Sequence, residues 1–125
     1  MKIIGIGVDI VDVDEMRKIF QSDRTLARIF SDSELESLKN DNNTIQRLAG
    51  WFALKEAVIK SLNTPKEVGL VLQDIVISHG INGEPICTFQ GKIKELFDEN
   101  KAIELKVSLS HSEKSAVGMA VCIGE

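Results

Sequence analysis

The sequence predicts an α+β fold in which an antiparallel sheet packs against one long helix. Three observations carry this expectation. Runs of β-branched and apolar residues stand at both ends of the chain, "IIGIGVDIVDV" first and "IELKVSLSH" with "AVGMAVCIG" last. A long helical stretch, "NNTIQRLAGWFALKEAVIKSLN", fills the middle. Strands and helices are also mixed without the strand–helix–strand rhythm that builds a parallel sheet.

Each element has its own signal. Residues 3–13 alternate as a strand, and a short helix follows over residues 14–20 with Asp14 and Glu15 in its first turn, where the helix dipole favours acid. "SDSELESLK" opens a further helix, with Ser31 and Glu34 at capping-box spacing. The long helix takes Asn43 or Thr44 as its cap, and "NTP" at residues 63–65 ends it. "LQDIVISHGINGEPICTF" reads as a hairpin with "NG" at its turn, and "KIKELFDEN" as a short amphipathic helix. The last two runs are strands joined by the polar loop "SEKS". There is no repeat, low-complexity tract or linker, and 125 residues suit one domain over residues 1–125.

Composition narrows the function classes. At 43% hydrophobic and 27% charged residues the chain has an ordinary globular balance, and its net charge of −4 argues against general nucleic-acid binding. Cys87 and Cys122 lie far apart, each in an apolar run, and lack metal-ligand spacing; buried free thiols in a reducing compartment are expected. No apolar run reaches the roughly 18 residues of a transmembrane helix, and the N-terminus does not read as a signal peptide, so the expected location is the cytoplasm, with no membrane partner. Charge is segregated: residues 16–30 carry Arg17, Lys18, Arg24 and Arg28 against Asp23, a net +3, and residues 31–42 carry a net −3. The basic segment reads as a solvated helix face or as a surface that steers an acidic partner.

Three stretches carry chemistry. In the first strand, Asp9 shares a face with Gly5, Gly7, Val11 and Val13, where the glycines leave room for a ligand or another backbone. A carboxylate there either caps the following helix or is kept for a cation. On the long helix, Glu56 sits beside Phe52, Ala53, Ile59 and Lys60, and Lys55, Glu56 and Lys60 spread around the helix between apolar stripes. Glu56–Lys60 is either an exposed i,i+4 pair or, with Asp9, a Mg²⁺ site beside a phosphate-binding cation, since Mg²⁺ takes one or two carboxylates and completes its shell with water and phosphate. Near the C-terminus, Val107, Leu109 and His111 alternate onto one strand face with His111 at the strand's end, as a structural or a functional histidine; His79 on the hairpin arm has no further support.

Taken in order, these motifs resemble those of the bacterial holo-acyl-carrier-protein synthases, the small phosphopantetheinyl transferases. "GIGVDIVDV", "FALKEAVIKSL", "INGEP" and "VSLSHS" with "SAVGMAV" each resemble a family motif, and together they span nearly the whole chain. The resemblance implies transfer of phosphopantetheine from coenzyme A to a serine of an apo acyl carrier protein, with release of adenosine 3',5'-bisphosphate. It implies that Asp9 and Glu56 bind Mg²⁺ (or Mn²⁺), that Lys60 meets phosphate, and that His111, with Pro85 of the hairpin motif, helps hold coenzyme A. Either Glu56 or a metal-bound water would take the serine proton, with the water favoured because metal coordination weakens a carboxylate as a base. An acidic carrier would dock on Arg17, Arg24 and Arg28, and the family's usual assembly is a homotrimer with active sites at subunit interfaces.

Departures from the family pattern are equally specific. Glu15 stands where many members carry Arg, with Arg17 half a turn on; Trp51 stands where many carry a coenzyme-gripping Arg; Glu84 replaces a basic residue; and Asn63 replaces the glycine that ends the helix, a position Asn tolerates in the left-handed backbone. Trp51 is expected either to pack at the subunit interface or to cover an apolar part of coenzyme A. Two other functions stay open at this point: a non-catalytic relative that only binds carrier or coenzyme A, and a metal-dependent hydrolase of coenzyme A.

Overall fold

The computed structural model describes residues 1–64 and 69–125. Strand β1 (Lys2–Asp12) runs into α1 (Val13–Ile19), and two further short helices follow, α2 (Asp23–Ile29) and α3 (Asp32–Ser37). The long helix α4 (Thr44–Ser61) leads to a 3₁₀ turn over Leu72–Asp74 and a hairpin of β2 (Ile75–His79) and β3 (Pro85–Phe89). Helix α5 (Gly91–Glu99) and strands β4 (Ala102–His111) and β5 (Ser115–Gly124) complete the chain. The strands form an antiparallel sheet in the order β1-β5-β4 and a separate antiparallel pair, β2-β3.

Helix α4 lies on the inner face of the three-stranded sheet and touches all three strands. Its backbone comes so close that side chains are excluded beneath it. A Cβ on Gly7 would collide with the Ala57 carbonyl, and one on Gly118 with the backbone of Ala53 and Leu54. The glycines of the first motif thus leave room for another backbone, that of α4. The register Gly7↔Ala120, Asp9↔Gly118 and Val11↔Ala116 keeps small residues under the helix. Two adjoining apolar clusters form the core, one around Phe20, Phe30, Trp51 and Leu54, the other around Val58, Leu62, Ile75 and Ile93.

Local signals account for most boundaries. Asp12, not Asp9, caps α1, accepting from the Glu15 N–H at 3.0 Å, so Val13 belongs to the helix rather than the strand. The capping box of α3 forms in both directions between Ser31 and Glu34. Asn43 is the N-cap of α4 by position, but its side chain makes no capping bond. Asn63 adopts φ 53°, the left-handed conformation, and its side chain donates to the Ile4 carbonyl at 2.8 Å. Of the expected stop signal "NTP", Pro65 lies outside the described residues.

Three expectations are corrected. The basic segment folds into an additional helix, α2, capped by Ser22 through the Thr25 N–H. Residues Leu72–Asp74 form the 3₁₀ turn instead of starting the hairpin strand. The hairpin closes through a loop over residues 80–84, where Gly83 takes φ +80° and the Glu84 carboxylate folds back to accept from the Asn82 N–H at 3.0 Å; this is longer than a two-residue "NG" turn. Among the described residues no helix is long and apolar enough to cross a membrane.

Candidate active site

The strand β1 and the C-terminal half of α4 bring Asp9, Glu56 and Lys60 together. Asp9 points inward, toward α4, because the β1 residues that share its face (Gly5, Gly7, Val11) are turned toward the helix. Lys60 reaches across from the helix: its ammonium donates to Asp9 Oδ1 at 3.2 Å and to the Val8 carbonyl at 3.0 Å. Glu56, one turn earlier on α4, is half-buried in the same cluster. Burial holds its carboxyl above the ordinary value of 4.5, and the Asp9 charge adds to this, while Lys60 pulls the other way. The expected i,i+4 partner of Glu56 is therefore engaged with Asp9, and Glu56 keeps a carboxylate that is costly to ionise.

Two neighbouring carboxylates, both hard oxygen donors and one reluctant to ionise beside the other, match a divalent cation that would neutralise both. Among the described residues no group of three or more His, Cys, Asp and Glu is gathered as a cage. A two-carboxylate site suits Mg²⁺, which keeps water and substrate oxygens in its shell.

A second group of residues lines a cavity of about 220 Å³ between the hairpin, the N-terminal half of α4 and the end of β4. Pro85 and His111 both face it, together with Arg47, Trp51, His79 and Leu109. His111 is exposed at the end of β4, on the face shared with Leu109 and Val107, and borders two further surface cavities, one of them with Ser112 and Glu113. Asp9, Glu56 and Lys60 do not line this cavity, so the expected residues fall into two groups instead of one.

Trp51 is not an interface residue. It is 2% exposed within its own chain, belongs to the core cluster, and its ring lies 5.9 Å from that of His79. Its edge forms part of the cavity wall.

Arg17, Arg24 and Arg28 are all exposed on α1 and α2, and Arg17 makes only a loose 3.9 Å pair with Asp14. Sequence reasoning missed a buried ion pair between Lys55 and Glu34. Glu34 was visible only as a capping residue, and Lys55 only as one of several polar positions on an otherwise apolar helix. Burial of the Lys55 side of α4 beneath the end of α2 and the start of α3 was the missing information.

Comparison with known proteins shows the family. The holo-acyl-carrier-protein synthase of Caldanaerobacter subterraneus subsp. tengcongensis is 37% identical to this chain over 122 residues, covering 97% of this chain and 95% of that one. A crystal structure of the Helicobacter pylori holo-acyl-carrier-protein synthase in complex with coenzyme A is 32% identical, covers 94% of this chain and 99% of that one, and superposes with a TM-score of 0.78. The corresponding Bacillus anthracis enzyme in complex with CoA (3',5'-ADP) is 27% identical over 98% of both chains, with a TM-score of 0.80. With residues 5–122 matching that family's sequence pattern, the chain belongs to the 4'-phosphopantetheinyl transferase superfamily.

Proposed function

We propose that this protein is a holo-acyl-carrier-protein synthase, transferring 4'-phosphopantetheine from coenzyme A to a serine of an apo acyl carrier protein and releasing adenosine 3',5'-bisphosphate. The observation that carries the reading is the Asp9–Glu56–Lys60 cluster, gathered by β1 and α4 in a member of this family. A non-catalytic relative has no need to keep two repelling carboxylates beside a lysine.

In the reaction the serine Oγ attacks the β-phosphorus of coenzyme A, and the bond from that phosphorus to the oxygen of the leaving adenosine bisphosphate breaks. Asp9 and Glu56 would hold Mg²⁺, which when bound neutralises charge on the pyrophosphate. Lys60, already placed between the β1 backbone and Asp9, offsets the charge that grows on the departing phosphate. The serine proton passes to Glu56 or to water, and a Glu56 that ligates the metal is the weaker base of the two. His111 and Pro85 would hold coenzyme A from the cavity between hairpin and β4.

The acidic carrier would dock on Arg17, Arg24 and Arg28. The homotrimer expected from the family is supported by the outer face of the sheet, where Ile6, Val8, Ile10 and Met119 stand exposed side by side. A subunit interface there would also help unite the two separated groups of site residues. The cytoplasm suits a chain with two unpaired thiols, Cys87 and Cys122.

Mass spectrometry of an apo carrier protein incubated with this protein, coenzyme A and Mg²⁺ tests the reading. The carrier gains one phosphopantetheine. Coenzyme A consumed with an unmodified carrier indicates a hydrolase instead, and binding of coenzyme A without consumption indicates a non-catalytic relative.

A further inference from the structure

Helix α4 is held from two sides by unlike contacts. Beneath it the sheet offers Gly7 and Gly118, with Ala116 and Ala120 beside them, and the helix meets them with the backbone around Ala53 and Ala57. Such a surface lets the helix come close but has few side-chain ridges, and interlocking ridges are what fix a helix about its own axis. Lys55 stands on the opposite side, two residues before Ala57 and so about 200° around the helix. Its ammonium donates to Glu34 and to the Ile29 carbonyl, and Glu34 in turn accepts from the Ser31 and Ile77 N–H groups. These are directional bonds to the backbone at the end of α2, the cap of α3 and strand β2.

Glu56 follows Lys55 directly, about 100° on, at the flank where Asp9 and Lys60 gather. A turn of the helix about its axis is therefore a displacement of Glu56. A carboxylate about 6 Å from the axis moves by about 1 Å for about 10° of rotation, and a misplacement of about 1 Å costs on the order of a hundredfold in rate. Lys60 does not hold the helix against such a turn: its side chain is 53% exposed, and a four-carbon stem lets the ammonium follow the shift. Nor does stability alone call for a buried ion pair, since apolar residues of similar volume serve as well or better. We infer that the Lys55–Glu34 pair is a positioning device for the metal carboxylate, setting the rotation of α4 and so aiming Glu56 at Asp9. The inference rests on the reading of Asp9 and Glu56 as a Mg²⁺ site. Both members of the pair are wholly buried and act only through Glu56.

Titration of the intact protein with Mn²⁺, followed by the paramagnetic resonance of the free ion, tests this beside the kinetics of transfer. Lys55→Met/Glu34→Gln removes both charges and leaves an acceptor for the Ile77 N–H. At a temperature where circular dichroism shows it folded, it should bind Mn²⁺ about tenfold or more weakly than wild type. Its kcat should fall with little change in KM for coenzyme A. Glu34→Gln alone should lose severalfold in Mn²⁺ affinity, and it carries the test if the double variant does not fold. Leu96→Ala, a cut at a buried position on α5, should lower the melting temperature and leave Mn²⁺ affinity unchanged. Wild-type Mn²⁺ affinity in a folded pair variant overturns the inference, and so does an equal loss of affinity in Leu96→Ala. A wild type that binds no Mn²⁺ overturns the metal reading of Asp9 and Glu56 and the inference with it.

Discussion

Lys55 and Glu34 form an ion pair at 2.6 Å in which both side chains are wholly buried. The ammonium also donates to the Ile29 carbonyl at 2.8 Å, and the Glu34 carboxylate accepts from the Ser31 and Ile77 N–H groups, each at 2.8 Å. The ring of Phe30 lies under the ammonium, 5.0 Å from centroid to Nζ. One pair thus ties α4 to the end of α2, the start of α3 and strand β2. Burial pulls the Lys55 ammonium below its ordinary value, and the bond to Glu34 opposes that pull. Removing either partner leaves the other charge buried and alone. Lys55→Met should therefore lose about 3–5 kcal/mol in urea denaturation. The double variant Lys55→Met/Glu34→Gln should be less destabilised than the sum of the two single changes. Strict additivity would show that the pair does not act as a unit.

Gly7 gives a second stability prediction, this time steric. Its missing Cβ is replaced by the Ala57 carbonyl of α4, which is backbone and cannot rotate away. Gly7→Ala forces sheet and helix apart and should lose about 2–3 kcal/mol or more. Gly69, whose added Cβ would meet nothing within 4 Å among the described residues, supplies the control: Gly69→Ala should change the melting temperature little. Equal melting temperatures for the two variants would show that the helix rides higher than described.

Glu56 links the site to pH. Its folded-state carboxyl is held above 4.5, first by burial and then by Asp9. Between 4.5 and the raised value the folded chain keeps a proton that the unfolded chain has lost. The contribution of this group to stability therefore falls as pH rises through that window and is level above it. In metal-free buffer, Glu56→Gln should melt higher than wild type at pH 7, with the difference shrinking toward pH 4. Added Mg²⁺ should raise the wild-type melting temperature more at pH 7 than near pH 4.5, and should not raise that of Asp9→Ala. A wild-type protein more stable than Glu56→Gln at pH 7 without metal would give the charge cluster the opposite sign.

The sequence made the frame readable because its signals are local. Alternation in β1, β4 and β5, the Ser31–Glu34 capping box and the left-handed Asn63 all depend on residues within a few positions of one another. Asp9, Glu56 and Lys60 were also legible, as polar residues set in apolar runs whose order resembled a family. What stayed hidden depends on distant partners. Nothing near Glu34 announces Lys55, 21 residues on. Nothing near Trp51 announces that His79 closes over it. Helix α2 was missed despite a serviceable Ser22 cap because seven residues are too few for apolar periodicity to register.

Carrier docking predicts a kinetic split. Arg24 and Arg28 lie four apart on α2, exposed, in the segment of net positive charge. Arg24→Glu or Arg28→Glu should raise KM for the carrier severalfold and leave KM for coenzyme A nearly unchanged. Raising ionic strength should weaken the wild-type reaction and narrow the gap to the variants, since screening shortens the reach of surface charge. A carrier KM indifferent to both salt and charge reversal would leave this segment as a solvated helix face.

The outer face of the sheet makes the last prediction. On β1, Ile6, Val8 and Ile10 point away from α4, and their register partners on β5 are Val121, Met119 and Val117. Val8 is 60% and Ile10 70% exposed, an apolar surface that water alone does not favour on an isolated chain. On β4 the same face turns polar at Lys106, Ser108 and Ser110, so the sticky surface is confined to β1 and β5. If copies of the chain meet there, Ile10→Lys buries an unpaired cation at the contact, and the assembly should fall to monomers by light scattering after size exclusion. Ser108→Lys, on the polar strip, should leave the assembly nearly intact. The Ile10→Lys monomer should keep its fold by circular dichroism yet transfer phosphopantetheine far more slowly, because the Asp9–Glu56–Lys60 cluster and the His111 cavity would no longer be joined across subunits. Full activity in a proven monomer would mean that a single chain assembles the whole site, and a trimer that survives Ile10→Lys would move the interface elsewhere.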